Sequence, residues 1–178
     1  MKNEQQLVKD IFAEIINVSG GIFEGSVRLY NAFVFAHQFY YIKESTLLSE
    51  WPVYFNSCGY IIKDGEKLSG EFCIDFQTSG SCSDDVFISS NTGCSLSDKI
   101  IDAIKLAVLF VRDKSKQELL EFIMNYSNYE VDKTSKEVNI YTISEDHKFR
   151  VFLRDFMDRR ERYKEISKDI NEVFGSKY

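Results

Sequence analysis

Apolar residues recur at helical spacing along most of the chain and switch to a two-residue alternation only in its middle. Leu7, Ile11, Ile15 and Val18 form one stripe, with Val8, Phe12 and Ile16 beside it. This predicts an amphipathic helix over about residues 4–18. Asn3 and Gln6 have the spacing of a capping box at its start. Gly20-Gly21 ends it, because glycine tolerates the left-handed backbone that follows a helix. Leu29, Phe33, Ala36 and Tyr40 mark a second helix over about 27–43, with Ser26 as its expected cap. Val34, Phe35 and Tyr41 widen its apolar surface to several sides, which places this helix at the centre of the fold.

The pattern then breaks. Trp51-Pro52-Val53 ends helical character, since proline disfavours the helical region for the residue before it. Lys63-Asp64-Gly65-Glu66 is a turn signal. Phe72, Ile74 and Phe76 alternate with Cys73 and Asp75, the period of a strand, and Val86-Phe87-Ile88 has the look of another. Ser, Gly, Asn and Asp dominate the flanking stretches 78–85 and 89–97, which read as loops. Residues 49–96 therefore form a loop-rich and strand-rich insertion.

Helical spacing returns with Ser97 as cap. Ile100, Ile104, Ala107, Val108 and Val111 give a stripe over about 98–113. Ser115 and Glu118 form a second capping box, opening a helix near 116–126 faced by Leu119, Leu120, Ile123 and Met124. Val138, Ile140 and Thr142 alternate as a short strand. Ser144 caps a long last helix, with Glu145 and Asp146 at its positive end. Phe149, Phe152, Leu153, Phe156, Tyr163, Ile166, Ile170 and Val173 carry it to about 173. The expected fold is one mainly helical domain with a small β element, an α+β arrangement with a long C-terminal helix. The β element is expected within 57–90 and 137–143.

Composition adds three constraints. The 178 residues suit one domain able to bury a core without disulfides or metals. Fifteen Phe and ten Tyr exceed what the helical stripes use, so an exposed aromatic patch is expected. The net charge of −6 is uneven: residues 145–178 hold nine basic against eight acidic groups, while the rest of the chain is acidic. An acidic chain repels phosphate backbones, so nucleic acid needs a local basic patch. The candidate is Arg159, Arg160, Arg162 and Lys164, and Asp155, Asp158, Glu161 and Glu165 interleave with it as on a solvated helix face.

Met1-Lys2 leads into polar residues rather than an apolar leader, and no apolar run approaches the length of a membrane span. A cytoplasmic protein without membrane contact is expected. Cys58, Cys73, Cys82 and Cys94 lack the close pairs of a zinc site and read as reduced thiols. Neither a metal nor a cofactor is expected. No phosphate-binding glycine loop, nucleophile elbow or metalloprotease motif is present in the sequence. His37 lies in the apolar second helix and reads as a packing histidine, and His147 as a surface residue. Asp84-Asp85 would point to opposite faces of a strand, a poor arrangement for acid–base work. No catalytic residue is assigned.

Three stretches resemble the Panacea domain, the family of SocA-like antitoxins. They are Arg28-Leu-Tyr-Asn-Ala-Phe-Val-Phe-Ala-His37 with Gln38-Phe-Tyr-Tyr41; Glu50-Trp51-Pro52-Val53; and Ile100-Ile-Asp-Ala-Ile104 through Ser115-Lys-Gln-Glu-Leu119-Leu120. The glycine that precedes the proline in that family is Trp51 here, and its His and Trp after the Glu-Leu helix start have no counterpart in 122–130. The resemblance implies a protein that binds a toxin and blocks it by contact, with no catalytic residues. Trp51, Tyr54, Phe55 and Tyr60 are the expected partner contacts, aromatic anchors close to turns. The competing class is a DNA-associated regulator or phage-type accessory protein using the basic last helix, and an enzyme is the third.

Overall fold

A computed structural model describes residues 2–56, 59–65, 68, 73–75, 86–88, 96–126, 136–139 and 147–174. Its helices are α1 (Lys2–Val18), α2 (Ser26–Glu44), α3 (Asp98–Arg112), α4 (Lys116–Tyr126) and α5 (His147–Phe174). Each falls within about two residues of the span its apolar spacing predicts. The strands are β1 (Ile22–Glu24), β2 (Val53–Asn56), β3 (Gly59–Ile62), β4 (Cys73–Asp75), β5 (Val86–Ile88) and β6 (Lys136–Val138). They form two antiparallel three-stranded sheets, ordered β1-β5-β4 and β3-β2-β6. The fold is thus mainly α with a small β component.

Helix α2 is the axis of the core. Thirteen of its nineteen residues are buried, from Val27 to Tyr41, so it has no broad polar face to present. It packs most extensively on α3, and α1, α4, α5 and strand β3 also touch it. The aromatic surplus is spent here. Phe35 lies 4.6 Å from Phe110 and stacks on Phe149, while Phe110 meets Phe156 edge-on at 5.4 Å. Phe122 and Phe152 close the cluster with ring centroids 4.8 Å apart. On the other side Phe12 stacks on Phe33 at 5.1 Å. Each such ring contributes roughly 1.5–3 kcal/mol by leaving water. Among the described residues no exposed aromatic patch is found: the exposed large apolar residues there are Ile22, Met124, Val151 and Tyr163, of which one is aromatic.

The strands missed in sequence are short. β1 has three residues, too few for an alternation to register, and β2 begins at Val53, directly after Pro52. Tyr60 pairs across the hairpin with Phe55, their rings 5.5 Å apart. Gly59 adopts φ +106 there, and a Cβ on it would sit 3.3 Å from the Asn31 amide nitrogen. Both the backbone angle and the close approach call for glycine.

The helix ends follow the expected chemistry in part. Ser115 and Glu118 do form a reciprocal box: the Ser115 N–H donates to the Glu118 carboxylate at 2.7 Å, and the Glu118 N–H to Ser115 Oγ at 3.2 Å. Gly21 N–H donates to the Ile16 carbonyl with Gly20 and Gly21 both at positive φ, closing α1. Ser26 is not a cap; Gly25 holds that position and Ser26 starts the helix. Ser97 is the α3 cap by position, without a side-chain capping bond. Helix α1 begins at Lys2, which puts Asn3 inside its first turn, and Gln6 donates to Asp10 instead of reaching back. Ser144, Asp84-Asp85, Ile140, Thr142 and three of the four cysteines lie outside the described residues, as does the side chain of Cys73.

A basic cleft and a sealed histidine

The polar residues of α2 fall into two settings. Asn31, His37 and Gln38 are buried to 1% exposure or less. The Asn31 amide donates to the Val27 carbonyl at 2.7 Å. His37 Nδ1 lies 2.9 Å from the Phe33 carbonyl. A carbonyl only accepts, so Nδ1 carries the proton and Nε2 is the bare nitrogen. Among the described residues Nε2 has no hydrogen-bond partner. Burial lowers the His37 pKa to about 4, against weaker upward pulls from the Phe33 carbonyl, the Glu4 carboxylate and the Ser49 backbone. The imidazole is therefore neutral at pH 7 and shut away from solvent, as a packing histidine would be.

Above it, α1 is tied to the segment after α2. Ser49 Oγ donates to the Glu4 carboxylate at 2.6 Å, and the Glu50 N–H donates to the same oxygen at 2.8 Å. The Trp51 N–H donates to Ser49 Oγ, and its indole N–H to the Lys63 carbonyl at 2.8 Å. Lys63 returns a backbone bond to Pro52. Trp51 is half-buried, packs on the core and clasps the base of the β2–β3 hairpin. Tyr54 is also half-buried. Phe55 and Tyr60 are 3% and 1% exposed, so the expectation that they contact a partner is corrected: they belong to the hydrophobic core, their rings packed on each other. The four aromatics share a hairpin but not a surface.

The second setting is a cleft of about 580 Å³ bounded by the end of α1, β1, α2, α3 and α5. Arg28 and Lys43 enter it from the two ends of α2, Lys105 and Arg112 from α3, and Arg160 and Lys164 from α5. Among the described residues Glu24, Asp102 and Glu161 are its carboxylates, so cations lead six to three there on a chain of net charge −6. Val18, Ile22, Leu106 and Leu109 supply an apolar floor. Arg28, Lys43 and Arg160 have no ion-pair partner among the described residues. Lys105 lies 3.9 Å from Asp102, Lys164 3.3 Å from Glu161 and Arg112 3.1 Å from Asp113, all weak exposed pairs.

Of the basic residues singled out in sequence, Arg160 and Lys164 face this cleft, one helical turn apart on one side of α5. Arg159 is turned away and pairs with Asp155, and Arg162 is exposed outside the lining. The four do not form one patch. Arg28, Lys43, Lys105 and Arg112 were not anticipated as partners of Arg160. A signal existed on α5: the core-facing series Phe149, Phe152, Leu153, Phe156 continues at helical spacing into Arg160 and Lys164, so the inward stripe turns from phenyl to cation. Among the described residues no group of three metal-ligating side chains comes together, and no helix is long and apolar enough to cross a membrane. Comparison with family models, with curated proteins and with solved structures gave no match to this chain.

Proposed function

We propose that this chain is a protein-binding module that acts on its partner by direct contact, in the manner of an antitoxin holding a toxin, and not by catalysis. The observation that carries the reading is the cleft: six cations around an apolar floor on a chain of net charge −6, three of them, Arg28, Lys43 and Arg160, without an ion pair among the described residues. Such a surface combines the two elements of a protein contact, charge for approach and apolar area for residence. His37 gives the enzyme reading little support, because it is sealed and its protonated nitrogen is already bonded to Phe33. The resemblance to the Panacea domain points the same way, toward binding without catalytic residues.

Nucleic acid is the second reading, favoured by Arg160 and Lys164 in the cleft. It fares worse because Arg159 is paired to Asp155 and three carboxylates stand where phosphates would pass. The test is co-expression with the product of the adjacent gene. We expect that product to slow growth when expressed alone, to be neutralised by this chain, and to co-purify with it. A harmless neighbour that does not co-purify would remove the antitoxin reading. Tight, sequence-dependent DNA binding that weakens steeply with salt would replace it with the regulator.

A further inference from the structure

We infer that the cleft takes an extended acidic segment of a partner protein, added as a fourth strand along the outer edge of β1. The inference rests on the protein-binding reading above and gives that partner a chemistry and a docking mode.

The strand order β1-β5-β4 leaves β1 paired on one side only, and among the described residues no strand lies on the other. All three of its residues, Ile22, Phe23 and Glu24, line the cleft. Successive side chains of a strand point to opposite faces, and here Phe23 is buried while Ile22 and Glu24 are exposed. A cavity reached by all three therefore runs along the strand's edge and not over one face. That edge offers backbone donors and acceptors to an incoming chain, the recognition mode of strand addition.

Charge selects the segment. Arg28 and Lys43 stand fifteen residues apart on α2, roughly 22 Å along the helix. An extended chain covers that distance with about seven residues. Alternating acidic and apolar residues set carboxylates toward Arg28, Lys43 and Arg160 on one side, and cover Ile22 and Leu109 on the other. Ile22, at 54% exposure, is the most exposed of the apolar residues lining the cleft, and such a segment covers it. Glu24 at the strand's end disfavours a carboxylate opposite it, which gives the segment a preferred direction. A phosphate backbone has the charge but neither the apolar side nor a use for the β1 edge.

The test uses fluorescence anisotropy on the full chain with a labelled synthetic peptide of about eight residues alternating Glu and Val. Three comparison probes are needed: the Lys-Val counterpart, the Glu-Val peptide N-methylated at alternate residues, and a single-stranded oligonucleotide of similar length. We expect the Glu-Val peptide to bind about tenfold more tightly than each of the three. Lys43→Glu with Arg160→Glu should weaken it by about tenfold or more, and Ile22→Asp should do so separately, both with unchanged circular dichroism. N-methylation without effect would overturn strand addition, and an oligonucleotide binding more tightly than the peptide would overturn the acidic-segment assignment. Failure of the inference is separable from failure of the wider reading. If the adjacent gene's product co-purifies equally with wild type and with the double variant, protein binding stands and this docking site does not. If neither peptide nor partner binds, both fall.

Discussion

Helix α2 carries polar residues of two kinds, and the contrast between them separates groups held by packing from groups that face the cleft. Asn31, His37 and Gln38 point into the core and bond, where they bond, to their own helix one turn back. Arg28 and Lys43, near the ends of the same helix, open onto the cleft with no ion pair among the described residues. The first set was placed by packing and answers to stability. The second lines the cleft, where the proposed partner would meet it. Residue type does not separate them, since a histidine is the commoner catalytic group. Their position relative to the α2–α3–α5 packing does.

That contrast is open to breaking by mutation. The largest effect should come from Phe35→Ala, which empties the space shared with Phe110, Phe122 and Phe149. A loss of about 3–5 kcal/mol is expected in urea unfolding. A loss under about 1 kcal/mol would mean that the aromatic cluster is loosely packed.

His37 should give the next largest effect, through pH. Its folded pKa of about 4 lies below its ordinary value of 6.5. Below pH 6.5 the unfolded chain takes up a proton that the folded chain refuses. The stability this site contributes is therefore complete above 6.5, falls by about 1.4 kcal/mol per pH unit on acidification, and is lost by pH 4. Urea midpoints between pH 7 and pH 5 should follow that slope, and His37→Leu should flatten it. An unchanged slope in the variant would show that the imidazole is not sealed.

Ser49→Ala tests the polar tie above His37 and should cost about 1 kcal/mol, as it removes the hydroxyl shared by Glu4 and the Trp51 N–H. The smallest effect belongs to the cleft. Arg28→Ala and Lys43→Ala should each leave stability within about 0.5 kcal/mol of wild type. A larger loss for either would move that residue from the second set into the first.

The helices were legible because each stripe repeats over several turns and the apolar positions outvote any local exception. Ser115 and Glu118 were legible because both halves of the box lie within one turn. The strands were read unevenly: β4 and β5 fall on the two stretches read as strands, whereas β1 has only three residues and its partner β5 is far away in sequence. The candidate site was hardest. Arg28, Lys43, Lys105, Arg112, Arg160 and Lys164 come from three helices, and no local window contains more than two of them. Aromatic composition misled for a related reason. It counts rings without saying that Phe110 alone meets Phe35, Phe39, Phe122, Phe152 and Phe156. Phe55 and Tyr60 looked available only because the hairpin that buries them was not seen.

Trp51 also makes the protein its own optical gauge. It is the sole tryptophan, and its indole sits at the base of the hairpin, bonded to Lys63 and leaning on the core. Emission excited at the red edge of the absorption band therefore reports the hairpin's attachment alone, while far-ultraviolet dichroism is dominated by the helices. If the emission shifts red at lower denaturant than the dichroism falls, the β2–β3 hairpin peels away before the α2 bundle melts, a sub-global opening. If the two curves coincide, the clasp between Trp51, Ser49 and Glu4 makes hairpin and helices a single cooperative unit.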